Sequence, residues 1–374
     1  MNPRPLRLFA ALSIGSTIAA QTAIPPAAVS RGIAVPRFVV DTSWPKRLPN
    51  GWAIGQAAGI AVDRHDHIWI VHRPRAGRGG QASAVPLPDS AVAPAVLEID
   101  QAGNLLRAWG RKNDQYHWPD SEHGIYVDAH DNVWIASNGD GDHVVLKFSP
   151  DGKLLLQIGR AGQTGGSNDT TLLGKPAAID VDPETNEVFI SDGYINRRVI
   201  VFDATTGKYK RHWGAYGKRP DDAPLPLYDP EAPPSPQFRA NDPRVTAVHS
   251  VRLGSDGLVY VADRGNDRVQ VFRKNGDFVK EAFVAKNTLG MGSVWALQFS
   301  VDAANEFLFV GDGTNQEVWI LRRADLQVVG QVGKPGRTPR DFGKVHNVAI
   351  DSRGNVYTAE VDNYKRVQRF TLVK

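Results

Sequence analysis

Three histidines hold the same place in three copies of a repeated strand pattern. His123, His249 and His346 each lie five residues before the end of a short, mainly apolar motif. Two further copies carry alanine at this place, at Ala58 and Ala177. If the copies are equivalent strands around one axis, the three imidazoles come from alternate repeats and converge on that axis.

Three converging imidazoles are a suitable ligand set for zinc. Three protein ligands leave a fourth position open, which is the arrangement of catalytic rather than structural zinc. The chain has no cysteine, so histidines, carboxylates and carbonyls are the metal ligands it offers. The alternative is that these histidines only satisfy hydrogen bonds at the strand ends, because a repeat can align residues without any metal. The zinc hypothesis requires the three side chains to meet.

Further reactive side chains follow the second strand of several repeats. The loops there supply Arg73, Tyr194, Arg264 and Asn315, and we expect them to face the histidines. A tyrosine between two arginines is suited to acid–base chemistry, and an arginine can bind a carboxylate as a bidentate fork. The alternative for Arg264, as for Arg198, is an ion pair that only stabilises its own repeat.

The elements that must position these residues form six repeats of short strands. Each full repeat contains four apolar or alternating strands separated by turns such as Asp-x-x-Gly-Asn. The repeats span residues 58–110, 123–159, 177–214, 248–284, 294–333 and 346–372. This period predicts an all-β fold, a six-bladed β-propeller. The last repeat has three strands, so the isolated strand 37–41 is expected to complete it and close the ring.

The bulk properties restrict the class of protein. The net charge is only +4 and the charges are dispersed, so we expect no nucleic-acid partner. Two arginines precede a short apolar run, which predicts a signal peptide over 1–20, a flexible leader over 21–36 and one propeller domain over 37–374. We therefore expect an exported monomer, periplasmic or secreted, with no membrane span and with a small-molecule or peptide substrate at the propeller mouth.

Two sets of motifs in the chain resemble known protein families. The run Tyr260–Phe272, with the sequence Tyr-Val-Ala-Asp-Arg-Gly-Asn-Asp-Arg-Val-Gln-Val-Phe, is similar to the NHL-repeat propellers. Further motifs resemble the peptidyl-α-hydroxyglycine α-amidating lyases, and they are Val71-His-Arg73, His123-Gly-Ile, Val188-Phe-Ile-Ser-Asp-Gly-Tyr194, His249-Ser-Val, Val261-Ala-Asp-Arg264 and His346. The lyase resemblance implies zinc on His123, His249 and His346. It also implies that Tyr194 is catalytic, together with Arg73 and Arg264.

The same resemblance implies a structural calcium ion. Its ligands would be the carbonyls of Ile60 and Ile125 and a side chain directly after the third histidine. The family has an acidic residue there, whereas this chain has Asn347, whose neutral amide can ligate calcium but supplies less charge.

The activity implied by the resemblance is that of an exported zinc-dependent lyase. It would cleave the C–N bond of an α-hydroxyglycine (carbinolamide) substrate to an amide and glyoxylate. Two alternatives stay open because propellers host many functions. One is a non-catalytic NHL-repeat propeller that binds a protein, a glycan or a small ligand. The other is a calcium-dependent lactonase or esterase, which would need carboxylates rather than three histidines at the channel.

Overall fold

The structure, a computed structural model, describes residues 34–74, 91–240 and 247–373. The predicted signal peptide, and all but the last three residues of the predicted leader, lie outside these residues. Regular structure in the described part consists of strands and short 3-10 turns, without an α-helix. No helix there is long and apolar enough to cross a bilayer.

The strands form six four-stranded antiparallel sheets, numbered here as blades along the chain. Blades one and two contain β2 (Gln56–Val62), β3 (Ile68–Arg73), β4 (Val96–Ile99), β5 (Leu105–Trp109), and β6 (Glu122–Val127), β7 (Val133–Ser137), β8 (Val144–Phe148), β9 (Leu154–Gly159). Blades three and four contain β10 (Pro176–Asp182), β11 (Glu187–Asp192), β12 (Arg198–Asp203), β13 (Tyr209–Trp213), and β14 (Val248–Leu253), β15 (Leu258–Asp263), β16 (Arg268–Arg273), β17 (Phe278–Phe283). Blades five and six contain β18 (Ala296–Phe299), β19 (Phe307–Asp312), β20 (Glu317–Arg322), β21 (Gln327–Val332), and β22 (Val345–Ile350), β23 (Val356–Glu360), β24 (Val367–Val373), β1 (Arg37–Asp41).

The depth of each strand in the ring explains its composition. The second strands are buried on both faces and read as continuous apolar runs, as in Ile68–Arg73. The outermost strands consist mostly of partly buried and exposed residues, which alternate in Leu154–Gly159. The first strands of neighbouring blades pack against one another around the central channel. The six-bladed propeller predicted from the repeats is confirmed.

The chain termini close the ring inside blade six. Strand β1 pairs antiparallel with β24, from Arg37 opposite Val373 to Asp41 opposite Arg369. An ion pair between Asp41 and Arg369 fixes one end of this pairing, with Arg369 Nε 3.1 Å from Asp41 Oδ2. The prediction that an N-terminal strand completes the last blade is therefore confirmed. The closure protects the edge of β24 from pairing with another chain.

An extra residue interrupts the first strand of five blades. In β14, Val248 pairs with Asp263 and Ser250 pairs with Ala262, so His249 lies between the two pairs without a partner of its own. The ladder of β22 skips His346 in the same way. Blades one, two and three show the same shift, at Ala58, at His123–Gly124 and at Ala177. Such β-bulges redirect a side chain, and here they free the three histidines from the strand alternation.

Candidate metal centre and active site

The three histidines meet in the channel. The ring centroids of His123, His249 and His346 lie 4.6 to 4.9 Å from one another. Each residue offers a ligand nitrogen, and the three nitrogens lie within 4.8 Å of one another. All three side chains are buried. The sequence-based expectation that they converge agrees with this geometry.

A carbonyl of the next blade orients each ring. Nδ1 of His123 donates to the carbonyl of Ala177 at 2.7 Å, and Nδ1 of His346 donates to that of Ala58 at 2.6 Å. Nδ1 of His249 donates to the carbonyl of Trp295, also at 2.6 Å. The carbonyl of Ala58 in blade one thus orients His346 of blade six, and the carbonyl of Ala177 in blade three orients His123 of blade two. Because Nδ1 carries the proton, Nε2 keeps its lone pair for a ligand.

The electrostatics of the cluster keep the imidazoles neutral. Burial is the main cause that holds the pKa of each histidine well below its usual value. The guanidinium of Arg264 lowers all three pKa values further, and that of Arg73 lowers those of His123 and His346. A neutral imidazole with an oriented Nε2 is the form that binds zinc. The residues therefore fit a divalent metal with nitrogen ligands.

Tyr194 reaches into this cluster from blade three. Its hydroxyl oxygen lies 2.9 Å from Nε2 of His123 and 3.1 Å from Nε2 of His249. The preceding residue explains how the loop comes so close to blade four. A Cβ atom added to Gly193 would lie 2.1 Å from the carbonyl oxygen of Val248, so only glycine allows this approach.

Arg264 is a buried cation with no anionic partner among the described residues. Its Nη1 lies 3.4 Å from the hydroxyl oxygen of Tyr194, and its guanidinium lies over the ring of Trp295 at 4.4 Å. Its Nε and Nη2 have no hydrogen-bond partner in the described part of the chain, and burial lowers its pKa. Buried donors that no protein group satisfies indicate that a ligand supplies the acceptor.

Arg73 lies at the end of β3, on the other side of the cluster. Its Nε donates to the carbonyl of Glu122 at 2.9 Å, and its Nη1 donates to Oε1 of Gln56 at 3.1 Å. Like Arg264, it has no ion pair with a described carboxylate, and burial lowers its pKa. Arg73, Tyr194, Arg264 and His346 line one cavity of about 840 Å³. These reactive side chains therefore share one solvent-accessible space.

Two arginine ion pairs and Asn315 belong to the blades rather than to the cavity. Arg198 pairs with Asp192 at 2.9 Å, and Arg268 pairs with Asp263 at 2.8 Å. The ion-pair alternative therefore holds for Arg198 but not for Arg264. The expectation that Asn315 faces the histidines is wrong, because its amide donates to Asp312 at 2.7 Å and to Thr288 at 2.8 Å.

The sequence reasoning missed Trp295. This residue provides the carbonyl that orients His249, and its ring carries the guanidinium of Arg264. It occupies the place of Ala58 and Ala177 in blade five, but the less regular sequence of that repeat hid the alignment. Matching the carbonyl acceptors blade by blade, rather than searching only for histidines, would have found it.

The residues implied for calcium lie in the inner strands β2, β6 and β22. Ile60 and Ile125 are buried, as is Asn347. The side-chain oxygen of Asn347 accepts the backbone N–H of Val348 at 2.8 Å. The described residues form no cluster of His, Asp or Glu ligands around Asn347. This set lacks the carboxylate that calcium sites use, so it does not fit calcium well.

Comparisons with known proteins agree with this geometry. The family model for the NHL repeat matches residues 248–272. Peptidyl-α-hydroxyglycine α-amidating lyase 2 of Drosophila melanogaster is 30% identical over 360 residues, which cover 90% of this chain and 75% of that protein. NHL repeat-containing protein 3 of Homo sapiens is 28% identical, over 89% of this chain and 84% of that protein.

Longer relatives and solved structures add to the comparison. The peptidyl-glycine α-amidating monooxygenase of Mus musculus is 26% identical over 86% of this chain. The chain spans about a third of the length of the amidating monooxygenases that it matches. A solved streptogramin B lyase superposes with a TM-score of 0.51 at 11% identity, over 90% of this chain and 98% of that one, which shows the fold alone.

The similarity to the fly lyase extends over most of both proteins. It covers 90% of this chain and 75% of the fly protein. The chain belongs to the peptidyl-α-hydroxyglycine α-amidating lyase family.

Proposed function

We propose that this protein is a zinc-dependent lyase that cleaves an N-acyl-α-hydroxyglycine to an amide and glyoxylate. The observation that carries the proposal is the position of the Tyr194 hydroxyl, within 3.1 Å of Nε2 of both His123 and His249. A proton-transfer group thus lies among the nitrogens that would hold the metal. Relatives named as α-hydroxyglycine amidating lyases support the same chemistry.

His123, His249 and His346 would hold the ion through Nε2, because their Nδ1 atoms are bound to backbone carbonyls. A zinc ion bound there would act as a Lewis acid toward a hydroxyl or carboxylate oxygen of the substrate. The three carbonyls fix the ring orientations before any metal binds. Such preorganisation favours metal affinity, since the rings lose little freedom on binding.

Tyr194 moves the proton of the reaction. Its oxygen, as the base, takes the proton from the carbinol hydroxyl of the substrate. The C–O single bond then becomes the carbonyl of glyoxylate, and the C–N bond breaks with its electron pair going to nitrogen. The same proton returns from Tyr194 to that nitrogen and gives the neutral amide. The elimination is balanced without an oxidant, a reductant or water.

The two arginines bind the anionic end of the substrate. The free Nε and Nη2 of Arg264 can donate to a carboxylate, and its position over Trp295 keeps the guanidinium plane fixed. Arg73 lines the same cavity and is held by Gln56 and the Glu122 carbonyl. Glyoxylate keeps this carboxylate, so the arginines would bind the half of the substrate that leaves as glyoxylate.

Product analysis with two matched substrates tests the proposal. The zinc-loaded protein is incubated with N-benzoyl-α-hydroxyglycine or with its O-methyl ether, which lacks the proton that Tyr194 takes. We expect benzamide and glyoxylate in equal amounts from the first compound and none from the ether. Release from both compounds at the same rate, or from neither above the spontaneous rate, would contradict the proposal.

The second candidate is a propeller that binds a ligand without turnover. It is favoured by the similarity to NHL repeat-containing protein 3, which covers nearly as much of this chain as the fly lyase does. This alternative predicts that N-benzoylglycine and its α-hydroxy derivative bind without product formation.

Export is proposed as well, and N-terminal sequencing of the protein from the medium or periplasm would show whether residues 1–20 are removed.

A further inference from the structure

A second polar group crosses the channel at a different level from the histidines. It consists of Tyr126, Asp180 and Arg252, which belong to the first strands of blades two, three and four. Each lies three residues after the place that the histidines occupy in their blades, or roughly 10 Å further along the strand. None of them lines the cavity that holds Tyr194. The group is therefore separate from the proposed active site.

Arg252 uses its guanidinium to bind backbone carbonyls of two blades. Its Nη1 donates to the carbonyl of Ile179 at 2.9 Å and to that of Val251 at 3.0 Å. Both residues lie two places after the histidine position of their own blades, in blades three and four. Ile60 and Ile125 hold this place in blades one and two, and their carbonyls are the calcium ligands that the family resemblance implies. Arg252 thus binds carbonyls of blades three and four that lie at the same level along the channel as the carbonyls expected to bind calcium.

The surroundings of Arg252 are those of a buried cation. The guanidinium lies over the ring of Tyr126 at 5.9 Å, which gives a weak cation–π contact. The carboxylate of Asp180 faces it from blade three, and this carboxylate accepts the backbone N–H of Val181 at 2.8 Å and of Leu253 at 2.9 Å. The cluster therefore links blades two, three and four through one positive and one negative side chain.

A calcium ion would meet two obstacles at this level. Asn347 provides a neutral oxygen that already accepts the N–H of Val348, in place of the acidic ligand that the family uses. The guanidinium of Arg252 lies at the same level of the channel, and although Asp180 offsets part of its positive charge, a second cation there would be repelled. The chain thus combines the loss of an acidic calcium ligand with a cation of its own.

We propose that Arg252 replaces the structural calcium ion of the family, so that this propeller holds its inner strands together without calcium. The guanidinium supplies the positive charge and the donor groups that carbonyls of neighbouring blades require. The proposal concerns the stability of the ring and is independent of the reaction at the histidines.

The calcium content and the melting temperature of the full chain test the proposal. Elemental analysis of the zinc-loaded protein should find no stoichiometric calcium. Because EGTA also binds zinc, the comparison uses calcium-free buffer that contains zinc, and the Tm there should be the same as in millimolar calcium. Arg252→Met, which removes the charge and the donors at similar volume, should lower Tm by roughly 5 °C or more. The Tm of Arg252→Lys should lie between those of the wild type and Arg252→Met, since lysine keeps the charge.

An exposed arginine serves as the matched control. Arg322 pairs with Asp325 at the surface of blade five, and their side chains are 44% and 40% exposed. Arg322→Met should therefore leave Tm nearly unchanged. One calcium ion per chain together with a lower Tm in the calcium-free buffer would overturn the proposal, as would an Arg252→Met protein that melts like the wild type. If Arg252→Met does not fold, the calcium content of the wild type and its Tm in the calcium-free buffer decide.

Discussion

The hydroxyl oxygen of Tyr194 lies 2.9 Å from Nε2 of His123, across the boundary between blades two and three. The contact joins a loop residue to a residue of an inner-strand bulge, so it depends on how blades two and three pack against each other. The Nδ1 atom of the same histidine is bound to the carbonyl of Ala177, in the blade that carries Tyr194. His123 thus contacts blade three at both ring nitrogens. Its Nε2 meets the hydroxyl of Tyr194, and its Nδ1 binds the Ala177 carbonyl that fixes the orientation of the ring.

Replacing Tyr194 by phenylalanine tests the proton-transfer role. Tyr194→Phe removes one oxygen and leaves the ring in place, so we expect kcat to fall about 10²- to 10⁴-fold while the zinc content stays the same. Tyr209→Phe is the control, because Tyr209 lies on the outermost strand of the same blade and is 38% exposed. Full activity in Tyr194→Phe would show that another group moves the proton.

Arg264 and Arg268 allow a direct comparison of a binding cation with a structural one. Arg264→Met should lower kcat/KM about 10²-fold or more, because the substrate carboxylate loses its donors. It should leave the free energy of unfolding unchanged or raise it by about 1 kcal/mol, since an unpaired buried charge is removed.

Arg268→Met should act in the opposite sense. Arg268 is fully buried against Asp263, so its loss leaves an uncompensated carboxylate and should lower the free energy of unfolding by about 3–5 kcal/mol. Urea unfolding and kinetics of both variants measure the contrast. If Arg264→Met is the less stable of the two proteins, Arg264 is a structural residue and the binding role fails.

His72 should make the protein less stable in mild acid. Burial lowers the pKa of His72 to about 4, and hydrogen bonds to the backbone offset only part of this shift. Its Nε2–H donates to the carbonyl of Pro94 at 3.0 Å and its Nδ1 accepts the N–H of Gly55 at 3.1 Å, so the native ring is neutral. A histidine in the unfolded chain binds a proton near pH 6.5. His72 therefore contributes about 3 kcal/mol to the free energy of unfolding above this pH, and the contribution is lost as the pH falls toward 4.

The variant His72→Gln isolates this contribution. Glutamine can keep one donor and one acceptor but does not titrate, so the difference in free energy of unfolding between pH 7 and pH 4.5 should be smaller than in the wild type. All other titrating groups are common to both proteins and cancel in the comparison. Equal pH dependence in the two proteins would refute the prediction.

Strand β1 should contribute to stability through ring closure. It covers the edge of β24, and Phe38 packs against Phe309 of blade five with ring centroids 5.8 Å apart. A chain that begins after residue 42 should melt roughly 5–10 °C below one that begins at residue 35, and it should aggregate through the exposed edge. Equal Tm values and equal solubility for the two chains would show that closure does not depend on β1.

The fold could be predicted from local patterns because the repeats are regular. The second strand of each repeat reads as a mainly apolar run. The Asp128 carboxylate accepts the backbone N–H groups of His130 and Asn132, as the Asp-x-x-Gly-Asn type of turn requires. The missing strand of the last repeat and the spare strand at Arg37–Asp41 indicated the closure. These signals are local, so one sequence is enough to show them.

The site was predicted less completely because it depends on contacts between blades. The shared register of the three histidines indicated their convergence, but the bulges that turn them into the channel have no sequence signature. Arg264 and Arg268 both follow Asp263 in one loop, and only packing shows that Arg268 takes the carboxylate. Asn315 was misplaced because the sequence shows the loop but not which way the amide points. The role of Arg252 depends on backbone carbonyls of two blades, and the sequence does not show where these carbonyls lie.

A zinc titration of turnover tests the central claim most directly. The metal-free protein is given increasing zinc, and glyoxylate release from N-benzoyl-α-hydroxyglycine is measured beside the same titration of His249→Ala. We predict that the wild-type rate rises to a plateau at one zinc ion per chain, while His249→Ala stays near the spontaneous rate. His130→Ala, which changes an exposed histidine of a turn, should follow the wild type. A wild-type rate that does not depend on zinc, or a His249→Ala protein with the wild-type plateau, would contradict the account.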